Sequence, residues 1–404
     1  MDIGIFGLWG MNVPGFHFGG FEEIYCEIAA RLVELGHTVT VYSRRECYPQ
    51  QMRIPQCRGV NIEYVATWNT KSLCFLTSIT SSLWHAFFHK HHDVYLFVNV
   101  GSGIHCLIAR LFGKRVILNV DGIEWARPKW GSLGHAYFKC AARAALFGCD
   151  VVLTDADAMV DVYHREFGRT LDMISYGAFI EESVDPSLLD RMNVKSRDYY
   201  LVVTRLIPDN NIHIIVDAFQ RLKTDRQLVV VGDANYDGDF QRRLRQVTDP
   251  RIRFVGRIHD QDLLRELYCH CYAYIHGHSV GGTNPALLRA LGYGAAVLAL
   301  NTVFNAEVIG EAQYGVLWEK HSEDLLKKLR DSEDDPQRVA NLRSTGPDRI
   351  RQAYTWEQVT SQHVDLLRQV MDGRSDSRHR IKGLRIGLAS TFLLLGGLTW
   401  LLFK

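Results

Sequence analysis

The sequence predicts an α/β protein made of two doubly wound, Rossmann-like domains that face each other across a cleft. At 404 residues the chain is longer than one ordinary core allows, so two domains are expected. Apolar residues make up 47% and charged residues 23%, which is typical of a globular chain. Short apolar runs alternate with helical patterns twice along the chain, and this alternation predicts parallel strands joined by right-handed crossovers.

The first alternating series predicts an N-terminal domain over residues 1–180. Strand-like runs occur at residues 2–8, 38–43, 60–65, 94–100, 116–120 and 151–154. A helix after the first strand is indicated by apolar residues at helical spacing, namely Ile24, Ile28, Leu32 and Leu35. Gly36 is a suitable stop for that helix, and the clearest further helices are at residues 104–112 and 133–147.

The second series predicts a C-terminal domain over residues 181–355, after an acidic pause at residues 180–197. Its strands are expected at residues 200–204, 227–231, 252–255, 273–276, 296–300 and 315–317. Its helices are expected at residues 211–222, 238–247, 260–269, 285–292 and 322–330. Two more helical segments, residues 336–353 and 356–371, close the globular part.

The end of the chain predicts a single membrane anchor. Residues 386–403 form an uncharged run whose helical length, about 27 Å, matches a bilayer core. The segment 373–385 before it carries five basic residues and one acid, so the positive-inside rule keeps the globular body in the cytoplasm, at the inner face of the plasma membrane. The alternative is an apolar terminal helix that docks on the protein or lies in the membrane interface.

Charge and cysteine usage exclude several kinds of function. A net charge of +1 argues against nucleic acid as the main partner. The nine cysteines are scattered and odd in number, which favours free thiols in a reducing compartment. Cys269 and Cys271 flank His270, but no second pair completes a zinc site, so we expect no metal.

The chemistry is expected to centre on residues 276–300, an apolar run, a loop of small residues and a helix. Gly281 and Gly282 let a ligand approach the backbone closely, with Thr283 beside them. Asn284 is a good N-cap and Pro285 a good first helical residue. The unpaired N–H groups at such a helix start favour a phosphate or diphosphate. The alternative is an ordinary strand–loop–helix connection.

Other candidate ligand residues follow predicted strands, whose carboxyl ends meet at the binding edge of a parallel sheet. Gly19 and Gly20 lie in the loop after the first strand. Arg205 follows the strand at residues 200–204 and suits a diphosphate, although a plain surface role is the alternative. Gly232 and Asp233 end the next strand, where a nucleotide ribose or base could rest.

The loop at residues 121–130 concentrates two acids, two cations and two tryptophans. Asp121 is our first candidate for a catalytic acid or base, and Glu124 the second. Trp125 and Trp130 offer apolar faces that suit a sugar ring, and with Arg127 they form the predicted acceptor side. The alternative is a loop held by salt bridges.

These stretches resemble the GT-B glycosyltransferases of the group-1 (GT4-type) superfamily, and more narrowly the bacterial rhamnosyltransferase-like branch. The similar motifs are Gly19-Gly20-Phe21-Glu22, residues 121–130, Tyr176-Gly177-Ala178, Thr204-Arg205-Leu206 with Asn210-Asn211, and Gly281-Gly282-Thr283-Asn284-Pro285. The resemblance implies a diphosphate site at Arg205 and the glycine loops, with Asn210 where the superfamily usually has lysine. It also implies that no metal holds the diphosphate, and that residues 356–372 form a helix that packs back on the N-terminal domain.

The sequence departs from the superfamily at two acidic positions. The second of two glutamates, which usually holds the nucleotide ribose, is replaced here by Arg289, and Ser279 stands where the branch tends to have the upstream glutamate. An arginine cannot accept hydrogen bonds from ribose hydroxyls. Either the nucleotide is bound differently, or the chain is a weakened or inactive relative.

The resemblance implies a glycosyltransferase that moves a sugar from a nucleotide sugar, with dTDP-rhamnose as the expected donor, to a polysaccharide or lipid-linked acceptor at the membrane. It also implies retention of configuration at the anomeric carbon, while no other cofactor is expected. Two alternatives stay open. One is a GT-B nucleotide-sugar epimerase, and the other a non-catalytic partner in a polysaccharide assembly complex.

Overall fold

The computed structural model describes residues 1–16, 18–68, 70, 73–127, 130–233 and 238–373, with the backbone alone at Arg245. Within them are a mostly parallel sheet of eight strands and a parallel sheet of six, each with helices on both faces. Alternating strands and helices in the sequence therefore fold as expected, into two doubly wound halves.

The N-terminal sheet has the strand order β3-β4-β2-β1-β5-β6-β7-β8, and only β3 runs antiparallel to its neighbour. Its strands are β1 Asp2–Phe6, β2 Thr38–Arg44, β3 Gln56–Cys57, β4 Val60–Val65, β5 Val94–Val98, β6 Arg115–Asn119, β7 Val151–Thr154 and β8 Asp172–Met173. Its helices are α1 Gly20–Glu34, α2 Cys74–His89, α3 Gly103–Leu111, α4 Ser132–Gly148 and α5 Asp157–Phe167. Every residue of β5 is buried, because helices cover both faces of the strand.

The C-terminal sheet has the order β11-β10-β9-β12-β13-β14, all parallel. Its strands are β9 Tyr199–Val203, β10 Gln227–Val231, β11 Ile252–Gly256, β12 Tyr274–His276, β13 Val297–Leu300 and β14 Val316–Trp318. Its helices are α6 Ile212–Gln220, α7 Asp239–Arg245, α8 Gln261–His270, α9 Pro285–Gly292, α10 Val303–Val308, α11 Ser322–Asp334 and α12 Pro336–Ala353.

The last described helix, α13 (Trp356–Asp372), returns to the N-terminal domain. Thr355 caps it by accepting a hydrogen bond from the Gln358 amide at 3.3 Å. A side chain at Gly177 would collide with the Trp356 ring at 2.4 Å, so the backbone there must carry glycine. The body of the protein thus ends against the domain in which it begins.

The predicted membrane anchor at residues 386–403 lies outside the described residues, and so does the basic segment before it apart from Gly373. None of the helices that the structure describes combines the length and the apolar character needed to cross a membrane.

The carboxyl ends of both sheets face one cleft. Asp121 follows β6, Arg205 follows β9 and residues 277–284 follow β12. The two edges touch, because a methyl group on Gly122 would lie 3.1 Å from the Cα of Gly281. Side chains that are far apart in the sequence therefore meet between the two domains.

Candidate active site

The loop before α9 has the backbone that its residues predict. Asn284 caps the helix by accepting a hydrogen bond from the Ala286 amide at 3.0 Å, and Pro285 is the first helical residue. Gly281 has a φ of +122°, which a side chain would strain. A Cβ on Gly282 would lie 2.4 Å from both carboxylate oxygens of Asp155. Both glycines are therefore required by the geometry.

Asp155, which sequence reasoning missed, joins this loop to the N-terminal domain. Its Oδ2 accepts a hydrogen bond from the Thr283 amide at 2.6 Å, and its carbonyl accepts one from the Thr283 hydroxyl at 2.8 Å. Burial, followed by the nearby Asp121, raises the pKa of Asp155 to about 8. The amide of Thr283, expected to face a phosphate, is therefore bonded to a carboxyl group of the opposite domain. The available signal was its position directly after β7.

Asp121 lies half-buried at the cleft edge with a φ of +58°. Its Oδ2 accepts a hydrogen bond from Asn99 at 3.3 Å, and its amide donates to Asn119 at 2.9 Å. Burial raises the pKa of Asp121 to about 6, while Arg127 acts to lower it and Glu124 to raise it. A carboxylate with a pKa near neutrality suits a general base.

Glu124, the second catalytic candidate, is buried and occupied by structural contacts. Its Oε1 forms an ion pair with Arg127 Nε at 2.6 Å, and its Oε2 accepts a hydrogen bond from Trp130 Nε1 at 3.0 Å. Both carboxylate oxygens thus position neighbouring side chains. We therefore assign Glu124 a positioning role and keep Asp121 as the one catalytic candidate in this loop.

The two tryptophans of the predicted acceptor side lie in different surroundings. Trp125 is buried in the core, where its ring contacts Tyr163 and Phe167 at centroid distances of 5.4 Å. Trp130 is half-buried and packs on Phe138 at 5.1 Å. Because its ring faces are covered by the core, we remove Trp125 from the acceptor side and keep Trp130.

Two arginines from opposite domains approach the glycine loop. A Cβ placed on Gly281 would lie 3.9 Å from Arg127 Nη2, so this guanidinium borders the loop. Arg205 is exposed to the cleft, yet partial desolvation and then Arg127 lower its pKa. Burial, Arg127 and Arg205 lower the pKa of His278 to about 3, so this histidine is neutral at pH 7. Two guanidinium groups therefore border the loop, and the one of Arg127 is paired with Glu124.

Asn210 does not present its side chain to the cleft. It is buried, donates a hydrogen bond to the Arg205 carbonyl at 2.8 Å, and contacts His278 Nδ1 through its Oδ1 at 2.7 Å. Its amide thus ties the loop after β9 to the loop after β12. This corrects its direct diphosphate assignment, because the amide group is used within the protein.

The three residues predicted on the nucleotide side, Gly232, Asp233 and Arg289, have different surroundings. A Cβ on Gly232 would lie 1.8 Å from the Thr204 carbonyl oxygen, so only glycine fits there, and Asp233 beside it is exposed. Arg289 forms an ion pair with Glu23 of α1 across the domain boundary. It also donates a hydrogen bond to Gln261 Oε1 at 3.2 Å. The position that usually carries an acid thus holds a cation paired with an acid from the other domain.

Of the two glycines that open α1, Gly20 lies against α9. Gly19 is the N-cap residue of α1, and a Cβ on Gly20 would lie 3.2 Å from Pro285 Cβ. Ser279 stands where related chains tend to have a glutamate. It donates hydrogen bonds from its amide and its hydroxyl to the Asp209 carbonyl, at 3.1 and 2.7 Å.

In the part of the chain that the structure describes, no three His, Cys, Asp or Glu side chains group as metal ligands.

Family models match both domains. Residues 18–177 match "Glycosyltransferase Family 4" and residues 191–349 match "Glycosyl transferases group 1". A search of curated proteins found no match.

Solved structures share the fold at low sequence identity. Sucrose-phosphate synthase from Thermosynechococcus elongatus aligns with a TM-score of 0.79 and 16% identity, over 92% of this chain and 99% of that one. HepE from Anabaena, in complex with UDP-glucose, aligns with a TM-score of 0.74 and 17% identity, over 91% and 100%. WaaG, a glycosyltransferase involved in lipopolysaccharide biosynthesis, aligns with a TM-score of 0.65 and 15% identity, over 93% and 99%.

Together these comparisons agree with the two-domain fold. The two matched segments cover successive domains, and the similar structures span nearly the whole described body. The chain belongs to the group-1, GT4-type glycosyltransferases and has the two-domain GT-B fold of that superfamily.

Proposed function

We propose that this protein transfers a sugar from a nucleotide sugar to a polysaccharide or lipid-linked acceptor, without a metal at the diphosphate. The observation that carries the proposal is the convergence of Arg205 and Arg127 on the glycine loop before α9. Sugar transfer breaks the bond between the anomeric carbon and a phosphate oxygen, so negative charge grows on the leaving diphosphate. Fixed cations and backbone amides at that point stabilise the transition state.

Arg205 is the best placed residue to hold the diphosphate. It is exposed in the cleft, and no acceptor or acid pairs with its guanidinium among the residues that the structure describes. Arg127 borders Gly281 from the other domain and is held by Glu124. We propose that Arg127 supplies the second cation of the diphosphate site, because Asn210 is engaged elsewhere. This moves Arg127 from the acceptor side to the donor side.

Asp121 is the proposed base for the acceptor hydroxyl. As the acceptor oxygen bonds to the anomeric carbon, its proton must leave, and a carboxylate with a raised pKa can accept it. Trp130 lies in the same loop and is the proposed contact for the acceptor sugar. Retention of configuration is part of the proposal and rests on the family resemblance.

For the donor we propose a class of compound and then one member of that class, and for the acceptor we propose a class alone. A nucleoside diphosphate sugar is supported by HepE, whose structure contains UDP-glucose on a similar fold. dTDP-rhamnose is the finer proposal and rests on the motifs shared with the rhamnosyltransferase-like branch. WaaG, involved in lipopolysaccharide biosynthesis, supports a glycoconjugate acceptor. Residues 386–403 are the proposed anchor, with the body at the cytoplasmic face of the membrane.

A thermal-shift panel of nucleotides and nucleotide sugars tests the proposal on the full chain in detergent. A ligand that binds only the folded state raises the Tm. We expect a larger shift with dTDP and dTDP-rhamnose than with the UDP and GDP compounds. Selective shifts with UDP or GDP sugars would keep the enzyme class and exclude the rhamnose donor. Folded protein without any shift would contradict the proposal.

A non-catalytic glycosyltransferase-like partner is the second candidate, and the Arg289–Glu23 pair favours it. This pair joins the domains where the superfamily usually has a single acid at residue 289. The epimerase alternative is disfavoured by the proposed anchor, because an epimerase acts on soluble nucleotide sugars and needs no membrane acceptor.

Restoring an acid at residue 289 tests whether the Arg289–Glu23 pair lies in the nucleotide site. Arg289→Glu alone would place two carboxylates side by side, so it must be compared with the double variant Arg289→Glu/Glu23→Gln. We expect the double variant to bind the donor nucleotide about tenfold more tightly than the single variant, since like-charge repulsion is removed. Isothermal titration calorimetry measures both affinities. Equal affinities would mean that the pair lies outside the nucleotide site.

A further inference from the structure

Arg44, the last residue of β2, is a buried cation without an acid partner. It is 2% exposed, and within the described ranges its Nε has no hydrogen-bond partner and no carboxylate lies within ion-pair distance. Its Nη1 donates a long hydrogen bond to Cys74 Sγ, at 3.5 Å. A buried guanidinium without an anion costs free energy, because the group loses water and gains little in return. The contacts that the protein itself supplies therefore do not account for this charge.

The start of α2 adds a second positive feature beside this guanidinium. Cys74, whose thiol Arg44 contacts, is the first residue of this sixteen-residue helix. The N-terminus of a helix carries the positive end of its dipole, which a capping side chain or an acid usually offsets. Among the described residues, α2 has neither a side-chain cap nor an acid in its first turn. A cation and a helix N-terminus repel each other, and an anion bound beside both would relieve the repulsion.

The acids near this place are too far from the guanidinium or bonded to other groups. Glu22 accepts a hydrogen bond from the Trp9 amide at 3.4 Å but lies beyond ion-pair distance of Arg44. Burial raises the pKa of Glu22, and Arg44 lowers it less than two backbone hydrogen bonds do. Glu46 accepts hydrogen bonds from the amide and the hydroxyl of Thr67, at 3.1 and 2.7 Å. The described part of the chain thus leaves the charge of Arg44 to a ligand.

A partly exposed aromatic ring covers the same guanidinium. Trp9 lies in the loop after β1, and Arg44 Cζ is 4.6 Å from the centroid of its ring. The Trp9 carbonyl accepts a hydrogen bond from the Arg44 amide at 3.0 Å, so its backbone is fixed beside the cation. Trp9 is nevertheless 46% exposed, so part of the ring faces solvent. An indole ring with an open apolar surface suits the apolar side of a sugar ring.

We propose that Arg44, the start of α2 and the ring of Trp9 form a subsite for a phosphate attached to a sugar. The guanidinium and the helix N-terminus bind the phosphate, which supplies the missing anion. The indole ring turns about its side-chain bonds to admit the phosphate, as a partly exposed side chain can. It then packs against the sugar.

The position of this subsite bears on the acceptor, an argument that rests on the proposed function. Arg44 ends β2 and Asp121 follows β6, and β1 and β5 lie between these strands in the N-terminal sheet. Three strand spacings therefore separate the two strand ends, which is about 14 Å. One sugar ring does not span that distance. The phosphate thus belongs to a part of the acceptor beyond the sugar that receives the transferred unit, as in a short sugar chain that ends in phosphate.

Calorimetric titration with glucose 1-phosphate tests the subsite on the full chain in detergent. Every titration uses an Arg205→Ala background without nucleotide, so that the proposed diphosphate site is impaired. We expect Arg44→Met to weaken the binding of glucose 1-phosphate by about tenfold or more, since a charged hydrogen-bonded pair is lost. Its Tm should not fall, because the change removes a buried cation that has no acid partner. Arg45→Met is the matched control, because Arg45 is exposed and lies 3.8 Å from Glu46.

Inorganic phosphate and the Trp9→Ala variant separate the two parts of the subsite. Trp9→Ala should weaken the binding of glucose 1-phosphate several-fold and leave that of inorganic phosphate unchanged, since only the sugar contacts the ring. Equal binding of both compounds, insensitive to Trp9→Ala, would assign a site for free phosphate and overturn the proposal.

Two further outcomes would also overturn it. One is an equal affinity for glucose 1-phosphate in the folded Arg44→Met protein and its parent, and the other is a parent that does not bind the compound. These titrations contain no nucleotide, so they are independent of the thermal-shift panel. Binding that depends on Arg44, together with no shift by any nucleotide, would contradict the proposed transfer and leave the phosphate subsite standing.

Discussion

Replacing Arg205 by alanine is expected to lower kcat/KM for sugar transfer by about 10²–10³-fold, the usual effect of removing one group that stabilises a developing anion. The guanidinium is exposed in the cleft beside Arg127, and the protein supplies it with no acid partner among the described residues. Its charge is therefore available to the leaving diphosphate. Steady-state kinetics with the donor identified by thermal shift measures the loss.

The Tm of the Arg205→Ala variant, measured with and without nucleotide, distinguishes diphosphate binding by Arg205 from a structural role. Desolvation and the proximity of Arg127 both lower the pKa of Arg205, which means that the surroundings disfavour its charge when no ligand is bound. The Arg205→Ala variant should therefore keep or slightly raise its ligand-free Tm while losing the Tm shift with nucleotide. Arg191→Ala is the matched control, because Arg191 pairs with Asp260 on the exposed surface. A lower ligand-free Tm with an unchanged nucleotide response would contradict the assignment.

Much of the cleft could be predicted from the sequence because strand ends are local signals. Apolar runs of three to seven residues mark the strands, and parallel strands bring their carboxyl ends to one edge. Asp121, Arg205 and the glycine loop at residues 281–284 each follow such a run, and the structure brings all of them to the cleft. The capping of α9 by Asn284 was predictable for the same reason, since the cap depends on adjacent residues.

The remaining contacts depend on how the two domains meet, which no local pattern encodes. Asp155 follows a strand as Asp121 does, but its bond to the Thr283 amide spans 128 positions. The Arg289–Glu23 pair likewise joins residues 266 positions apart. For Trp125 a ligand contact was predicted that the structure does not support. Its place in a polar loop favoured a sugar contact, but its ring packs in the core beside Tyr163.

Replacing Asp121 by asparagine is expected to reduce turnover by about 10²–10⁴-fold, the range attributed to a positioned general base. The exchange suits the backbone, since asparagine tolerates the left-handed conformation that Asp121 adopts at φ +58°. It removes the proton acceptor and leaves Arg205 and the glycine loop in place, so nucleotide binding should persist. Kinetics and calorimetry on the same preparation measure the two effects. Asp161→Asn, on the exposed side of α5, is the control.

The pH dependence of the activity is a second, independent test of the role of Asp121 as a base. A base works only when deprotonated, and burial raises the pKa of Asp121 to about 6, so activity should rise with pH through about 6 and then level off. The hydrogen bond from Asn99 acts to lower this pKa. Asn99→Gly, which suits the φ of +70° at that position, should therefore shift the acidic limb to higher pH. An unshifted limb, or Asp121→Asn protein with wild-type turnover, would assign proton transfer to another group, with Asp155 the next carboxyl at the cleft edge.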